Sequence, residues 1–216
     1  MSDYYLEIQK LVNSALEEMT SQHKAGKLID SPVSNNHFLV RWITKSLKQQ
    51  TCSKLVTSDL IRWQKMGRSQ GSGAALPLLF RKISGFYRDS FKQEQEITDK
   101  QIEDFLDTME AADWEVSTSE PLVNEGKVQI LTELNNSLAL CSNQCESCFD
   151  GEVLIKPISW FVRGNHQEFI KKAWEAGFVV HKRTDYKSNV KYHGEYLIYP
   201  QNKGEFLAEI PLDYQP

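Results

Sequence analysis

The spacing of apolar residues changes near Trp114, and this change constrains the fold more than any single motif. Before it, apolar residues recur every three or four positions. Tyr5, Ile8, Val12, Ala15, Leu16 and Met19 share one face of a helix predicted over residues 4–25. Gly26 interrupts the pattern, with Ser31-Pro32 just beyond. Ser34, Asn35 and Asn36 offer capping side chains for a second helix from about His37 to Gln50, with Phe38, Trp42 or Ile43 and Leu47 as its apolar stripe. A third helix is expected over Ser58 to Met66, followed by an exposed glycine loop from Gly67 to Gly73, because glycine-rich runs hold helices poorly. A fourth runs from about Ala74 to Phe91. A fifth, acidic helix starts at Thr98, turns Ile102, Phe105, Leu106 and Met109 inward and ends before Trp114.

From Trp114 onward the pattern is one of short, β-rich runs: Trp114 to Thr118, Lys127 to Leu131, Ser137 to Leu140, Ser159 to Val162, Phe178 to Lys182, Tyr192 to Tyr199 and Phe206 to Ile210. Turn residues at Asn135-Asn136, Asp150-Gly151 and Gly164-Asn165 punctuate them, and one helix, His166 to Ala176, interrupts them. The expected class is therefore α+β, with a helical N-terminal half and a mainly antiparallel sheet plus helix in the C-terminal half. The chain divides into a basic helical region (1–95), an acidic helix or linker (96–113) and a strand-rich domain (114–216). At 216 residues it can bury roughly 70% of its unfolded surface and needs no covalent staples.

A net charge of −4 conceals a strong asymmetry. Residues 1–95 carry +6, residues 96–152 carry −12 and residues 153–216 carry +2. Within residues 37–92, eleven Lys and Arg face two acids, Asp59 and Asp89. The first residues show neither a basic nor an apolar leader segment, and no stretch approaches the roughly 18 apolar residues of a membrane span. A cytoplasmic protein without a membrane partner is expected, with its four cysteines reduced or ligating metal.

Three features could carry chemistry. The first is Cys141-Ser-Asn-Gln-Cys145-Glu-Ser-Cys148, whose thiolates, in a tight turn, could reach one Zn²⁺ at about 2.3 Å, with a fourth ligand from His166, His181, His193 or Cys52 and His166 the tentative choice. The bland alternative is three small, half-buried thiols and no cofactor. His166 also follows a Gly-Asn turn at a helix start, a place suited either to an anion or to a plain strand-to-helix corner. The second feature is the basic helical stretch, with Arg41, Lys45 and Lys48 on one helix and Arg62, Lys65 and Arg68 on the next. Such cations meet phosphates and release counterions, or else form a solvated face or dock the acidic middle of the chain, within one molecule or across a homodimer. Trp63 could stack on a base but is expected to pack inward. The glycine run lacks the Lys-Ser/Thr ending of a P-loop, which argues against a nucleotide triphosphatase. The third is the polar cluster of His181, Lys191, His193 and Tyr196, in which a near-neutral histidine could serve as acid or base.

Two resemblances accompany these residues. The run Trp174 to His181 followed by Lys191-Tyr-His-Gly-Glu-Tyr196-Leu-Ile-Tyr199-Pro200 resembles the ending of tRNA-splicing endonuclease catalytic domains, which implies RNA cleavage by a Tyr, a His and a Lys, with Tyr196 or Tyr199 in the tyrosine region. It departs from that family in lacking the downstream histidine, since residues 201–210 contain none. Over nearly the whole chain, Pro32 to Trp42, Arg62 to Ser69, Asn136 to Cys148 and Trp160 to His166 resemble a family from vibrios and related gammaproteobacteria known as a domain of unknown function. That resemblance implies a bacterial cytoplasmic protein of this length and carries over no activity and no site residue. The preferred reading is a binding or regulatory protein that contacts nucleic acid or an acidic protein through its basic helices. The alternative is a nuclease-like enzyme using His181, Lys191, His193 and a tyrosine.

Overall fold

Ser31 and Pro32, which read from the sequence as part of a break, start a helix instead. In the computed structural model Ser31 is extended (φ −142°, ψ 152°) and its hydroxyl accepts the Ser34 N–H, while Pro32 takes the first helical position, where its missing N–H costs nothing. Asn35 and Asn36, expected as caps, therefore lie inside the helix and are buried. The structure describes residues 3–91, 95–118, 122–124, 127–128, 130–183 and 193–216.

Four helices, α1 (Tyr4–Lys24), α2 (Pro32–Gln49), α3 (Thr57–Gln70) and α4 (Leu76–Ser90), make the first of two compact units, residues 1–92 with 205–207 and 214–216. Each buries one apolar stripe: Ile8 and Val12 from α1, Leu39 and Ile43 from α2, Leu60 and Trp63 from α3, Phe80 and Ile83 from α4. Trp63 packs inward against Phe80, ring centroids 4.9 Å apart. The expected glycine loop is largely helical. α3 continues through Gly67 to Gln70, and residues Gly71–Ala74 form a 3-10 turn. Packing explains the difference. A Cβ at Gly67 would sit 2.5 Å from Val40 Cγ2 and 2.8 Å from Leu76 Cδ1, so glycine here permits close approach of α2 and α4 to α3, outweighing its poor helix propensity. The C-terminal Tyr214 belongs to this unit, where its hydroxyl donates to Asp89 at 2.6 Å and its ring meets Phe86 edge-on.

The second unit, residues 93–204 with 208–213, contains α5 (Asp99–Glu110), β1 (Glu115–Ser117), β2 (Val123–Asn124), β3 (Lys127–Val128), β4 (Ser137–Leu140), α6 (Ser142–Cys148), β5 (Phe149–Asp150), β6 (Val153–Leu154), β7 (Ile158–Arg163), α7 (His166–Glu175), β8 (Val180–Lys182) and β9 (Gly194–Ile198). Five strands form one sheet in the order β1-β4-β7-β9-β8, antiparallel except for the β1–β4 pair. The fold is thus α+β, with a mixed, mainly antiparallel sheet in the C-terminal half. The segment 206–210, expected as a strand, is not one, although the Glu209 N–H donates to the Val180 carbonyl.

Strand alternation divides the sheet into two faces. Leu138, Leu140, Trp160, Val162, Val180, Tyr196 and Ile198 lie in one apolar cluster with Phe105 of α5 and Phe169 of α7. Phe105 stacks on Trp160 at 5.0 Å and 10°, so the acidic helix is joined to the strand-rich unit through its apolar side while its five acids stay exposed. Ala139, Cys141 and Phe161 lie in a separate cluster with Leu122, reached from the other set of alternating positions. Among the described residues no helix is long and apolar enough to cross a membrane.

Candidate anion-binding groove

Arg41, Lys45 and Lys48 follow one another at spacings of four and three along α2, which places them on one side of that helix. The other side buries Leu39, Val40 and Ile43, so the cations are forced outward by the same amphipathic pattern that builds the core. With Arg68 of α3 they line a groove of about 790 Å³, whose other walls include His37, Thr44 and Gln49 and the apolar Val33 and Val40. No acid lines it. The two acids of residues 37–92 are engaged elsewhere. Asp59 accepts from the Tyr4 hydroxyl at 2.7 Å and from Arg62 at 2.9 Å, and Asp89 accepts from Tyr214 and from Arg88. Burial pushes the Asp59 carboxyl above its ordinary range, against the opposing pull of its bonds to Tyr4 and Arg62. Among the described residues, Arg41, Lys45, Lys48 and Arg68 join no ion pair, and all four are exposed.

The groove floor is held by polar bonds. Asn36 is buried and donates through Nδ2 to the Gly67 carbonyl at 3.2 Å. Thr44 accepts from Gln64 at 2.7 Å and from Arg68 at 3.2 Å, which orients the Arg68 guanidinium. The six basic residues singled out in the sequence therefore separate. Arg41, Lys45, Lys48 and Arg68 converge on the groove, Arg62 is paired with Asp59, and Lys65 is exposed but does not line it. His37 is not among the residues that the sequence points to, although it lies one turn before Arg41. Neither is Thr44, nor Asn36 in this role, because the role depends on α3 lying against α2.

The cysteine motif forms a short helix, not a tight turn, and its thiols enter different surroundings. Cys141 packs with Ala139 and Phe161, Cys148 belongs to the larger cluster and lies 3.5 Å from the Pro157 carbonyl, and Cys145 packs against that larger cluster. Burial, then the nearby Asp99 and the other two thiols, push the Cys145 thiol up. His166, the expected fourth ligand, is bonded through Nδ1 to the Tyr196 hydroxyl at 2.9 Å. Among the described residues no three His, Cys, Asp or Glu side chains are arranged to hold a metal ion. Among the described residues Cys141, Cys145, Cys148 and His166 are thus not gathered into one group: alternation at the end of β4 sends Cys141 to one cluster and helix α6 carries Cys148 to the other.

The polar residues of the C-terminal sheet are likewise divided. His181 pairs in register with Leu197, whereas Lys182 pairs with Tyr196, so His181 and Tyr196 point to opposite faces. His181 lies edge-on to Tyr199 at 5.3 Å. His193 is buried with Nε2 3.3 Å from the Ser137 hydroxyl. Burial lowers the pKa of both His193 and His166. Arg163 and His166 add to the effect at His193, and Lys182 adds to it at His166. Lys191 lies outside the described residues. The expected grouping of His181, His193 and Tyr196 is replaced by two pairs, Ser137–His193 and His166–Tyr196. Glu195, which the sequence did not single out, is buried opposite Phe161 and accepts from Ser159 at 2.9 Å and Arg183 at 2.8 Å.

No curated protein and no solved structure matches the chain. A family model matches residues 3–211, nearly end to end, and the chain belongs to the family it describes, protein of unknown function (DUF2913).

Proposed function

We propose that this protein binds nucleic acid without catalysing a reaction on it, and that the groove between α2 and α3 receives the phosphodiester backbone. The observation that supports the reading is the convergence of Arg41, Lys45, Lys48 and Arg68 on one acid-free groove. Four unpaired cations around an opening supply the electrostatic, sequence-independent attraction that phosphates need, and counterion release drives the association. Guanidinium groups at 41 and 68 can grip a phosphate through two N–H bonds, while Lys45 and Lys48 act as point charges. A cytoplasmic, reducing setting belongs to the same reading and suits four free cysteines.

Binding of a labelled 20-nucleotide probe by the full chain, followed by fluorescence anisotropy across a salt series, tests the proposal. Four phosphate contacts give a salt slope of about −2.8 to −3.6, so affinity falls about 50- to 150-fold between 50 and 200 mM salt. The double variant Lys45→Glu, Arg68→Glu abolishes most of the binding, while Lys65→Glu, outside the groove, changes it little. Failure of DNA and RNA alike to bind at 50 mM salt overturns the proposal and leaves an acidic protein as the occupant. Binding indifferent to the double reversal overturns it as well.

A further inference from the structure

His37, Arg41 and Lys45 do not line one groove alone. They also line a second opening of about 630 Å³ on the other side of α2, so the helix is a cationic ridge between two grooves. The two sides differ in chemistry. The first has no Phe, Tyr or Trp in its lining, whereas the second has Phe38 and Trp42, one turn apart and both half-buried. The single acid on the second side, Glu18, is engaged: its Oε2 accepts the Trp42 indole N–H at 2.8 Å. That bond holds the indole in place before any ligand arrives, which lowers the ordering cost of stacking on it.

We infer that the ligand is single-stranded nucleic acid crossing α2, its phosphates on Arg41 and Lys45 and its bases in the second groove against Phe38 and Trp42. This rests on the nucleic-acid reading above and narrows it. A ridge of cations with charge alone on one side and aromatic rings on the other separates backbone from bases, as single-strand platforms do. A duplex keeps its base faces stacked inside the helix and can use only the cations. Aromatic stacking therefore favours the single strand by roughly fivefold to 150-fold per base engaged. Stacking tolerates every base, so the expected preference is for strandedness, not sequence.

The test compares dT20, rU20 and a 20-base-pair duplex against the full chain at one salt concentration, with wild type, Phe38→Leu, Trp42→Leu and Trp42→Phe. The expected result is at least tenfold tighter binding of dT20 or rU20 than of duplex. Phe38→Leu and Trp42→Leu bring single-strand affinity down toward the duplex value with little change in salt slope, and Trp42→Phe, which keeps a ring, retains most of it. The relative strength of dT20 and rU20 identifies which of the two nucleic acids supplies the strand. Thermal unfolding of each variant, matched to wild type, guards against loss through misfolding, and Phe38→Leu serves as the readout if Trp42→Leu fails to fold. Equal or tighter duplex binding, or unchanged single-strand affinity in both Leu variants, overturns the inference. If duplex binds as well as single strand and Lys45→Glu, Arg68→Glu still abolishes both, the groove reading stands and this one falls.

Discussion

Helices α2 and α5 are built on one plan and carry opposite charge. Each is amphipathic, is capped by a hydroxyl residue, Ser31 or Thr98, and buries one apolar face. On α2 the exposed side holds Arg41, Lys45 and Lys48 with no acid, and it borders two grooves. On α5 the exposed side holds five acids and Lys100, which pairs with Asp104 at 3.2 Å, and none of these residues lines either of the α2 grooves. The lesson is that buried positions account for why each helix exists, while exposed charge acquires a use only where neighbouring elements shape a concavity around it. A charge run alone is a solvated face. A charge run beside a groove is a candidate site.

The comparison can be broken most forcefully at α5. Phe105→Ala removes the ring that stacks on Trp160 and touches Phe169 and Phe178, and should cost the strand-rich unit about 3–5 kcal/mol in denaturant unfolding. A loss under about 1 kcal/mol would mean that the acidic helix is not part of that core. On the α2 side, Gly67→Ala should lose about 1–3 kcal/mol through overpacking against Val40 and Leu76, although alanine is intrinsically the better helix former by about 1 kcal/mol. A stabilised Gly67→Ala protein would show that the close approach of α2 and α3 is not required.

A smaller effect is pH-dependent and belongs to the strand-rich unit. His166 and His193 have lowered pKa values in the fold, so below about pH 6.5 the unfolded chain binds more protons than the folded one. Their contribution is fully present above that pH and is lost as pH falls through the folded values. Urea unfolding at pH 7.5 and 5.5 should therefore give lower stability at 5.5, with a reduced difference in His193→Asn. An identical difference in the variant would count against His193. The smallest effect is expected from Glu103→Lys or Asp107→Lys on the exposed side of α5, each within about 0.5 kcal/mol of wild type. A large change from either would mean that the acidic face is structural after all.

Much of the fold was legible because it depends on local repetition. The three-to-four spacing from Tyr5 to Met109 marked all five helices of the first half, and Ser137 to Leu140 was read with its observed bounds. Errors fell where a distant partner overrides local preference. Gly67 looks like a loop residue until Val40 and Leu76 are seen against it. Residues 206–210 carry strand-forming side chains yet do not form a strand. The start of α2 was misplaced because Ser34, Asn35 and Asn36 are all plausible caps, and only Ser31 has the extended backbone that a cap requires.

The candidate sites divide in the same way. The sequence by itself determined the class, the charge polarity and the basic residues of α2, since composition and helical spacing are properties of neighbours along the chain. Only the tertiary structure decided that Arg68 joins Arg41, Lys45 and Lys48 while Arg62 turns to Asp59. It also decided that Cys141 and Cys148 enter different clusters, and that His181 and Tyr196 occupy opposite faces of the sheet. The physical reason is geometric: a site is a convergence of side-chain directions, and those directions are set by strand register and helix packing between residues far apart in the chain.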